Sequence, residues 1–259
     1  MSDFLDVLAC DAMRTIKDGF YETLEGTRSL NLSLKEAILQ CRNAAVISEI
    51  KLRSPSAGVL KENSELRHIA GEMEDGGAVG ISVLTEPKHF KGHVNYLAEI
   101  REQVNIPILM KDIVLSPIQV EAASRTGADA VLLIQTLFER GYCEKDVHGM
   151  IEDCHSRGLE VLLEVHDRKE LRPAVNTNAD MIGVNNRDLK TLEVDLEMVR
   201  RVLTEHDAGG KVIVSESGIT NPEDIRLLRG FGVHAFLIGT AIMRAGSIKK
   251  KVKELVASF

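Results

Sequence analysis

Eight short apolar runs, each followed by a longer amphipathic stretch, set the pattern of this sequence. Continuous apolar runs of this length are typical of strands that are buried on both faces, as parallel strands are. Strand and helix alternate along the chain without a linker or a low-complexity segment, which predicts one closed (β/α)8 barrel. An open, doubly wound sheet is the alternative topology, although it usually has fewer strands. The runs cover residues 44–52, 79–86, 106–113, 130–135, 159–165, 181–186, 211–217 and 235–240.

Capping residues mark the ends of several intervening helices. Ser116-Pro117 and Asn221-Pro222 each place a cap residue before a first-turn proline, which predicts helices that begin there. Gly127, Gly158 and Gly232 each follow the last periodic residue of a helical stretch, where a helix commonly ends. These local signals agree with the alternation of strands and helices.

The chain before the first apolar run stands outside this repeat. Two amphipathic stretches, DFLDVLACDAMRTIKDGF and SLKEAILQCRN, predict two extra helices. We expect a single α/β domain of TIM-barrel type, with a helical extension over residues 1–43 and the barrel over residues 44–259. The extra helices could plug the base of the barrel or cover its active face, and the sequence leaves both positions open.

Composition and charge narrow the class of protein. The 259 residues are 44% hydrophobic and carry a net charge of −7, whereas nucleic-acid-binding proteins are normally basic. No apolar run approaches the roughly eighteen residues of a membrane-spanning helix. The N-terminus carries acids early and lacks the layout of a secretory signal, and the four cysteines form no CxxC pair. We therefore expect a cytoplasmic protein with free thiols that binds neither nucleic acid nor membrane.

Charged side chains gather where the apolar runs end, at the carboxyl ends of the expected strands, where barrels of this type place their chemistry. Because side chains alternate along a strand, Glu49 shares a face with Lys51, and Glu164 shares a face with His166. Three cations and three anions are expected to meet in the barrel mouth, where they can keep a lysine protonated while a glutamate acts as a base. The alternative is a set of salt bridges that only closes the barrel. The six residues are Lys51, Lys111, Arg187, Glu49, Glu164 and Glu216.

Glycine-containing turns accompany the last two apolar runs. Gly218 directly follows the seventh run within SESGI, and Gly239-Thr240 close the eighth, where a short helix is expected to begin. Barrels often bind phosphate at this position with backbone N–H groups. Ser54 and Ser56 lie around a proline after the first run, and their hydroxyls are expected to reach the same anion. Each glycine taken alone could serve only as a tight turn.

These strand ends resemble, in order, the motifs of the indole-3-glycerol phosphate synthase family. The two leading helices also resemble the N-terminal extension of that family. The resemblance runs from about residue 45 to about residue 245 and rests on EIKLRSPS, SVLTEPKHF, ILMKDIVLSPIQVEAASRTGADAVLLI, LLEVHD, IGVNNRDLKTLEVD, VSESGI and AFLIGTAIMR.

The resemblance implies a lyase of tryptophan biosynthesis. Such an enzyme closes the indole ring of 1-(2-carboxyphenylamino)-1-deoxyribulose 5-phosphate with loss of carbon dioxide and water, and uses no metal or organic cofactor. The expected partner is therefore a phosphorylated small molecule. We expect a monomer, and a weak association with other tryptophan-pathway enzymes stays open.

The resemblance also implies roles for particular residues. Lys111 matches the general acid of ring closure, and Glu164 matches the acid/base glutamate. Glu49 and Lys51 match the pair that orients the substrate and transfers protons in the dehydration. Substrate contacts are expected from Asn185, Arg187, Glu216, Ser217, Phe90 and Ile113, and phosphate contacts from Ser54, Ser56, Gly218, Gly239 and Thr240.

Three residues, Leu52, Met110 and Ile113, depart from the usual family pattern. Ile113 stands where an aromatic residue is usual, so we expect a pocket wall that is still apolar but lacks ring-on-ring packing. His89 and His93 are four residues apart, but the loop character of KHFKGH and the lack of an evident third ligand argue against a metal site.

Two alternative functions share some of these features. Another phosphosugar-binding barrel enzyme, such as phosphoribosylanthranilate isomerase, would have both phosphate loops but would not need the EIK pair together with Lys111 and Glu164. A catalytically silent barrel that binds a phosphorylated ligand should have lost charges at the strand ends. All six charges are present in this chain.

Overall fold

Eight parallel strands close into a barrel. The computed structural model describes residues 3–22, 30–54, 58–60, 66–188, 191–203 and 209–259, with Ser54 described by its backbone alone. The barrel strands are β1 (Ala45–Ile50), β4 (Gly80–Leu84), β5 (Ile108–Lys111), β6 (Ala130–Ile134), β7 (Glu160–Val165), β8 (Met181–Asn185), β9 (Val212–Glu216) and β10 (Ala235–Ile238). A hairpin of two short antiparallel strands, β2 (Arg53–Ser54) and β3 (Gly58–Val59), follows β1.

The strand order confirms the closed barrel and excludes the open sheet. β1 pairs in parallel with β10 on one side and with β4 on the other, and Ile47 lies opposite Leu237 and Gly80. Each barrel strand lies within one of the eight expected runs and is shorter than that run by at most two residues at either end.

Helices follow the barrel strands and cover the outside of the barrel. The described helices are α1 (Phe4–Lys17), α2 (Leu34–Gln40), α3 (Leu66–Asp75), α4 (Pro87–Phe90), α5 (Asn95–Arg101), α6 (Pro117–Arg125), α7 (Gln135–Glu139), α8 (Val147–Ser156), α9 (Arg168–Ala174), α10 (Glu197–Leu203), α11 (Pro222–Gly230), α12 (Thr240–Met243) and α13 (Ile248–Val256). Across these ranges, no helix has both the length and the apolarity to cross a membrane.

The capping signals operate as expected. Ser116 begins α6 with a capping box, and Asn221 does the same for α11, so side chains satisfy backbone N–H groups that a helix start leaves free. Gly127, Gly158 and Gly232 have φ values of 85°, 74° and 90°, a left-handed conformation that glycine adopts at little cost. These turns direct each chain segment back to the base of the barrel.

Two apolar layers form the core. One layer lies between strands and outer helices, and it buries side chains such as Val46, Met110 and Val131. The other fills the barrel interior with inward side chains such as Ile47, Leu132 and Leu237. The inner layer is apolar at the base and becomes charged at the carboxyl ends of the strands, so the barrel is a packed core with an open mouth at one end.

The two leading helices cover opposite ends of the barrel. Ahead of α2, the Leu32 N–H donates to Asp129 just before β6, and the Lys35 N–H at the start of α2 donates to Glu160 at the start of β7, each at 3.0 Å. Helix α1 instead buries Leu5 and Leu8 among residues of the barrel interior, at the mouth. The sequence left plug and cover open, and the structure shows one helix in each position.

Candidate active site

A cavity of about 680 Å³ opens at the carboxyl ends of the strands. Its size is typical of small-molecule sites. Inward side chains of the strands, including Leu132 and Ile134, form an apolar floor, while Phe4, Leu5 and Leu8 of α1 form part of the wall. The cavity is therefore apolar at its floor and along part of its wall.

The cavity gathers nearly all the residues for which the sequence predicted a catalytic, substrate-binding or phosphate-binding role. The exceptions are Ser54, whose side chain is not described, and Ser56, which lies outside the described residues. The cavity is lined by Glu49, Lys51, Phe90, Lys111, Ile113, Glu164, Asn185, Arg187, Glu216, Ser217, Gly218, Gly239 and Thr240. Their catalytic and binding roles remain predictions.

Lys111 lies between two carboxylates at the centre of this cavity. It ends β5, and its Nζ donates to Oε2 of Glu164 at 3.1 Å and also to Oε2 of Glu216. Glu164 and Glu216 extend inward from β7 and β9, and both are buried. The Lys111 ammonium thus forms ion pairs with two buried carboxylates.

The pKa values of this group are shifted in different directions. Burial would lower the pKa of Lys111, but the carboxylates of Glu216, Glu164 and Glu49 outweigh burial and raise it. Burial would raise the pKa of Glu164, but Lys111 and His166 hold it well below its usual range. Burial raises the pKa of Glu216. Attraction to Lys111 acts in the opposite direction, but repulsion from Glu164 partly cancels it, so the pKa stays above its usual value. Lys111 is therefore cationic and Glu164 ionised, while Glu216 is the easier of the two acids to protonate.

A second ion pair faces this group from β1. Nζ of Lys51 lies 2.6 Å from Oε1 of Glu49, and both side chains are mostly buried. Gly239 provides the space for this pair, because a Cβ atom at that position would lie 2.3 Å from Oε1 of Glu49. The cavity therefore has two lysine–carboxylate groups at the ends of separate strands.

Asn185 and Arg187 project from the end of β8. Nδ2 of Asn185 donates to Oε1 of Glu164 at 3.1 Å, and its Oδ1 accepts from the backbone N–H of Arg187 at 3.0 Å. The Arg187 guanidinium donates to the carbonyl of Leu192 at 2.7 Å, which holds it against the following loop. Asn185 is thus in direct contact with the acid/base candidate, whereas Arg187 is held at the rim.

The two glycine turns lie side by side at one edge of the mouth. Ser217 and Gly218 both have positive φ values, 67° and 86°, so the loop after β9 turns tightly. A Cβ atom on Gly218 would lie 2.3 Å from the Val194 side chain, so only glycine fits. Helix α12 begins at Thr240 after β10, and Arg244 and Lys251 also line this side of the cavity. Backbone N–H groups and two further cations suit an anion.

An apolar wall faces the charged group. Phe90 and Ile113 line the cavity, and the Glu86 carboxylate accepts from the backbone N–H groups of Lys88, His89 and Phe90, which fixes the short helix α4. Of the three departures from the family pattern, only Ile113 lines the cavity. Met110 points into the outer apolar layer, and Leu52 packs against that layer.

The sequence did not predict two supporting residues. Gly183 in β8 leaves space for Glu216, because a Cβ atom there would lie 2.2 Å from Oε1 of Glu216. Asp112, next to Lys111, accepts from the Tyr21 hydroxyl at 2.9 Å and the Ile113 N–H at 2.7 Å, and burial raises its pKa to about 6. A glycine inside an otherwise apolar strand was the available signal for Gly183.

The histidines considered as metal ligands are engaged separately. Nε2 of His89 lies 2.9 Å from Oδ2 of Asp11, and the His93 ring packs against Phe20 and Tyr96. Across the described chain, no three His, Cys, Asp or Glu side chains cluster as metal ligands would.

Comparison with known sequences points to one family. The family described as indole-3-glycerol phosphate synthase matches residues 11–255. An indole-3-glycerol phosphate synthase of Desulforamulus reducens is 39% identical over 224 residues, which cover 86% of this chain and 83% of the relative. One from Neisseria gonorrhoeae is 40% identical over 236 residues (91% and 84%), and one from Koribacter versatilis is 42% identical over 212 residues (82% and 80%).

Solved structures share the architecture at low sequence identity. Thiamine phosphate pyrophosphorylase from Pyrococcus furiosus superimposes with a TM-score of 0.60 at 17% identity, over 86% of this chain and 96% of that one. The N-acetylmannosamine-6-phosphate 2-epimerase from Clostridium perfringens gives 0.62 at 16% identity, over 84% and 94%. At such identities the likeness concerns the fold alone.

Proposed function

This chain belongs to the indole-3-glycerol phosphate synthase family, and from that premise we propose how its barrel mouth carries out the reaction. The substrate is 1-(2-carboxyphenylamino)-1-deoxyribulose 5-phosphate, and the products are indole-3-glycerol phosphate, carbon dioxide and water. The observation that carries the proposal is the position of Lys111 between Glu164 and Glu216 at the centre of the cavity.

Lys111 is the acid for ring closure. When the aromatic carbon attacks the ketone, the carbonyl oxygen gains negative charge, and a buried ammonium can stabilise that charge and donate a proton to it. The three carboxylates that raise the pKa of Lys111 keep it protonated near neutral pH. Glu164 is the acid/base partner, because one of its oxygens faces Lys111 and it is ionised.

The Lys51–Glu49 pair serves the later dehydration. The hydroxyl formed by ring closure must leave as water, which needs a proton donor at the oxygen and an acceptor for a proton from carbon. Lys51 and Glu49 supply a donor and an acceptor held 2.6 Å apart at the end of β1. We assign this pair to proton transfer and substrate orientation in that step, with Asn185, Arg187, Glu216 and Ser217 as further positioning contacts.

In the proposed complex, the phosphate and the benzene ring of the substrate bind at opposite sides of the mouth. The phosphate binds the turns at Gly218 and at Gly239-Thr240, with hydroxyls of Ser54 and Ser56 as further donors. The benzene ring lies against Phe90 and Ile113, which line the cavity. Binding energy from both ends would then hold the ketone carbon at Lys111, which is how remote contacts contribute to rate.

Turnover of the ribulose phosphate tests the assignment. The purified protein should convert it into a product with indole fluorescence, and Lys111→Ala should lower kcat by at least about 100-fold, the scale of lost general acid catalysis. Lys145→Ala is the matched control, because Lys145 forms a surface ion pair with Asp153 at 2.7 Å, away from the cavity. It should keep the parent rate.

Other outcomes would point elsewhere. A parent protein that binds the phosphate ester without forming indole would be a silent barrel. Conversion of phosphoribosyl anthranilate instead would indicate the isomerase reaction. A Lys111→Ala variant as fast as the Lys145→Ala control would remove Lys111 from the mechanism even if indole is formed.

We also propose the organisation and setting of the enzyme. Residues 1–43 and 44–259 form a single domain, which is supported by the burial of Leu5 and Leu8 of α1 within the barrel's inner layer. The protein is cytoplasmic, which its free cysteines support, and it is a monomer, which its net charge of −7 favours. We include in this proposal only that any association with other enzymes of the pathway is weak.

A further inference from the structure

Three side chains, His166, Glu170 and Thr136, form a line that runs from the acid/base candidate Glu164 to the outer helices α9 and α7. Nε2 of His166 lies 3.0 Å from Oε1 of Glu164, an ion pair that lacks the alignment of a hydrogen bond. On the other side of the ring, Nδ1 lies 3.3 Å from Oε2 of Glu170. The Thr136 hydroxyl donates to Oε1 of Glu170 at 2.5 Å. His166 is thus held between two carboxylates.

The local sequence explains this arrangement. Glu164 and His166 are two residues apart at the end of β7, so both point to the same side of the strand. Asp167 then caps α9, and its carboxylate accepts from the N–H groups of Lys169 and Glu170. This cap turns the chain, so that the Glu170 side chain returns to the His166 backbone N–H at 2.7 Å. A segment of seven residues, EVHDRKE, therefore supplies Glu164, His166 and Glu170.

His166 is positively charged in this setting. The charged groups that face it are Glu164 from β7 and Glu170 from α9, while the neighbouring helix α7 contributes the neutral Thr136 hydroxyl. Burial would lower the pKa of His166, but the two carboxylates outweigh burial and raise it to about 10.

The contacts of Glu164 divide between its two oxygens. Oε1 faces His166 and accepts from Asn185 at 3.1 Å, and Oε2 accepts from Lys111 at 3.1 Å. With Oε1 occupied, rotation of the carboxylate is restricted and Oε2 stays directed toward the position of the reacting atoms. A neutral side chain at position 166 would remove one of the two partners of Oε1 and the positive charge next to it.

We propose that His166, held by Glu170, is a positioning residue that fixes the orientation and the ionised state of Glu164 for catalysis. The inference rests on the proposed function, because it concerns the glutamate assigned to acid/base chemistry there. His166 does not touch the substrate, and Glu170 acts only through His166.

The alternative is that these contacts only cap α9 and stabilise the fold, and this alternative can be tested. Glu170 is the third residue of α9, and a carboxylate there that reaches back to the chain before the helix is a common capping arrangement. If capping were its only role, changing His166 or Glu170 would alter stability and leave the chemistry of the folded enzyme untouched. The measurements must therefore report on the rate and on protonation, not on folding alone.

Kinetics of His166 variants are the first measurement. His166→Leu should lower kcat by about 10- to 100-fold with KM changed less than about threefold, because a misplaced catalytic group affects the chemical step more than binding. The acid limb of its pH–kcat/KM profile should move to higher pH, since Glu164 loses a cation that holds its pKa low. His166→Gln retains an N–H donor and should recover part of kcat. His155→Gln is the control, because His155 forms a comparable pair with Asp180 at 2.9 Å, away from the cavity.

The protonation state of His166 is the second measurement, and it does not depend on activity. In the ¹⁵N NMR spectrum of the folded protein, His166 should remain an imidazolium through pH 8. In Glu170→Gln its titration midpoint should fall by about one pH unit or more, because one of two flanking anions is lost.

The outcomes separate the inference from the function on which it rests. A parent that forms no indole would remove the proposed function and the inference with it. A parent that forms indole, together with a His166→Leu variant of unchanged kcat and pH profile, would remove only the inference. A neutral His166 at pH 7 in the parent protein would also overturn it.

Discussion

At the scale of single residues, two glycines leave the space in which the charged side chains of the mouth fit. Gly183 and Gly239 each face a carboxylate, Glu216 and Glu49 respectively, at a distance that no Cβ atom could share. Neither glycine has the positive φ that requires glycine for backbone reasons. Their role is to leave volume, which lets two acidic side chains fit inside a closed ring of strands.

Gly183→Ala tests this reading. The added methyl group would lie 2.2 Å from Oε1 of Glu216, so the carboxylate must leave its present position beside Lys111. We expect kcat to fall by about 100-fold, the scale of a displacement of about 1 Å in a catalytic group. Overpacking should also lower the free energy of unfolding by about 1–3 kcal/mol. Steady-state kinetics and urea unfolding measure the two effects.

Gly230→Ala is the matched control for this variant. Gly230 ends α11, and nothing lies within 4 Å of the added Cβ position. The change should leave kcat unaltered and raise the free energy of unfolding by about 0.4–1 kcal/mol, because alanine restricts the unfolded chain. Equal kinetics for both glycine variants would show that the space at position 183 is not needed.

The sequence predicted which residues meet but not how they pair. Charges such as Lys111 and Glu164 end apolar runs, and strand periodicity with barrel closure was enough to bring them to one mouth. Which carboxylates share Lys111 depends on the stagger of the strands around the barrel and on side-chain rotamers. Neither quantity is written in the spacing of residues, so the contact with Glu216 and the role of Glu170 became apparent only in three dimensions.

At the scale of elements, α1 deserves to be treated as part of the site. Its inner face buries Leu5 and Leu8 at the cavity. Its capping residue Asp3 lies 2.7 Å from Arg140, which follows α7, and Asp11 on the helix lies 3.2 Å from Lys88 of α4. The helix therefore closes one side of the cavity with apolar contacts inside and ion pairs at the edge.

Leu8→Ala should weaken this cover. We expect a loss of about 2–5 kcal/mol in the free energy of unfolding, the usual range for a truncated buried leucine. KM should rise several-fold, because α1 lines the pocket, while kcat should change little. Unfolding should remain a single transition if the extension and the barrel are one domain.

Met13→Ala on the same helix separates docking from helix propensity. Met13 is 42% exposed and points away from the barrel. This control should leave both stability and KM close to the parent values. A Leu8→Ala protein with parent KM would show that α1 contributes to folding and not to the pocket.

The amphipathic pattern predicted that α1 and α2 exist, but it could not assign them to an end of the barrel. Both ends present apolar interior side chains, and the two helices offer similar apolar faces. The assignment depends on polar contacts between distant parts of the chain, such as Lys35 with Glu160 and Arg140 with Asp3. Such pairs carry no local signature in a single sequence.

At the scale of the whole molecule, the two ends of the barrel differ in what their charges do. At the base, Arg101 and Asp129 form a buried pair at 2.7 Å, and their side chains are 3% and 0% exposed. Asp129 also accepts from the backbone N–H groups of Leu32 and Ile108. These bonds tie α5, the segment before α2 and two strands together, far from the cavity. Charges at the base therefore hold the fold, whereas the charges at the mouth are those to which we propose a role in the reaction.

Arg101→Leu should destabilise the protein without slowing the folded enzyme. Removing the guanidinium leaves the Asp129 carboxylate buried without its cation, which typically costs about 3–5 kcal/mol. The midpoint of urea unfolding should fall accordingly, while kcat/KM measured well below that midpoint should match the parent. A large loss of kcat/KM in the folded variant would contradict the division between the two ends.

Arg67→Leu provides the reference for an ordinary surface pair. Arg67 and Glu102 are 54% and 56% exposed, so solvent screens their attraction. Loss of this ion pair should change the free energy of unfolding by less than about 1 kcal/mol.

The positions of α1 and α2 have a consequence for biosynthesis. These helices precede all eight barrel strands in the described chain, yet α2 docks on residues as late as Glu160, and α1 covers a cavity whose lining extends to Leu237 and beyond. Neither can reach its final place until most of the polypeptide has emerged. A segment that is translated before the barrel strands is therefore among the last parts of the barrel to settle, and its apolar faces are surfaces that a nascent-chain chaperone could bind in the meantime.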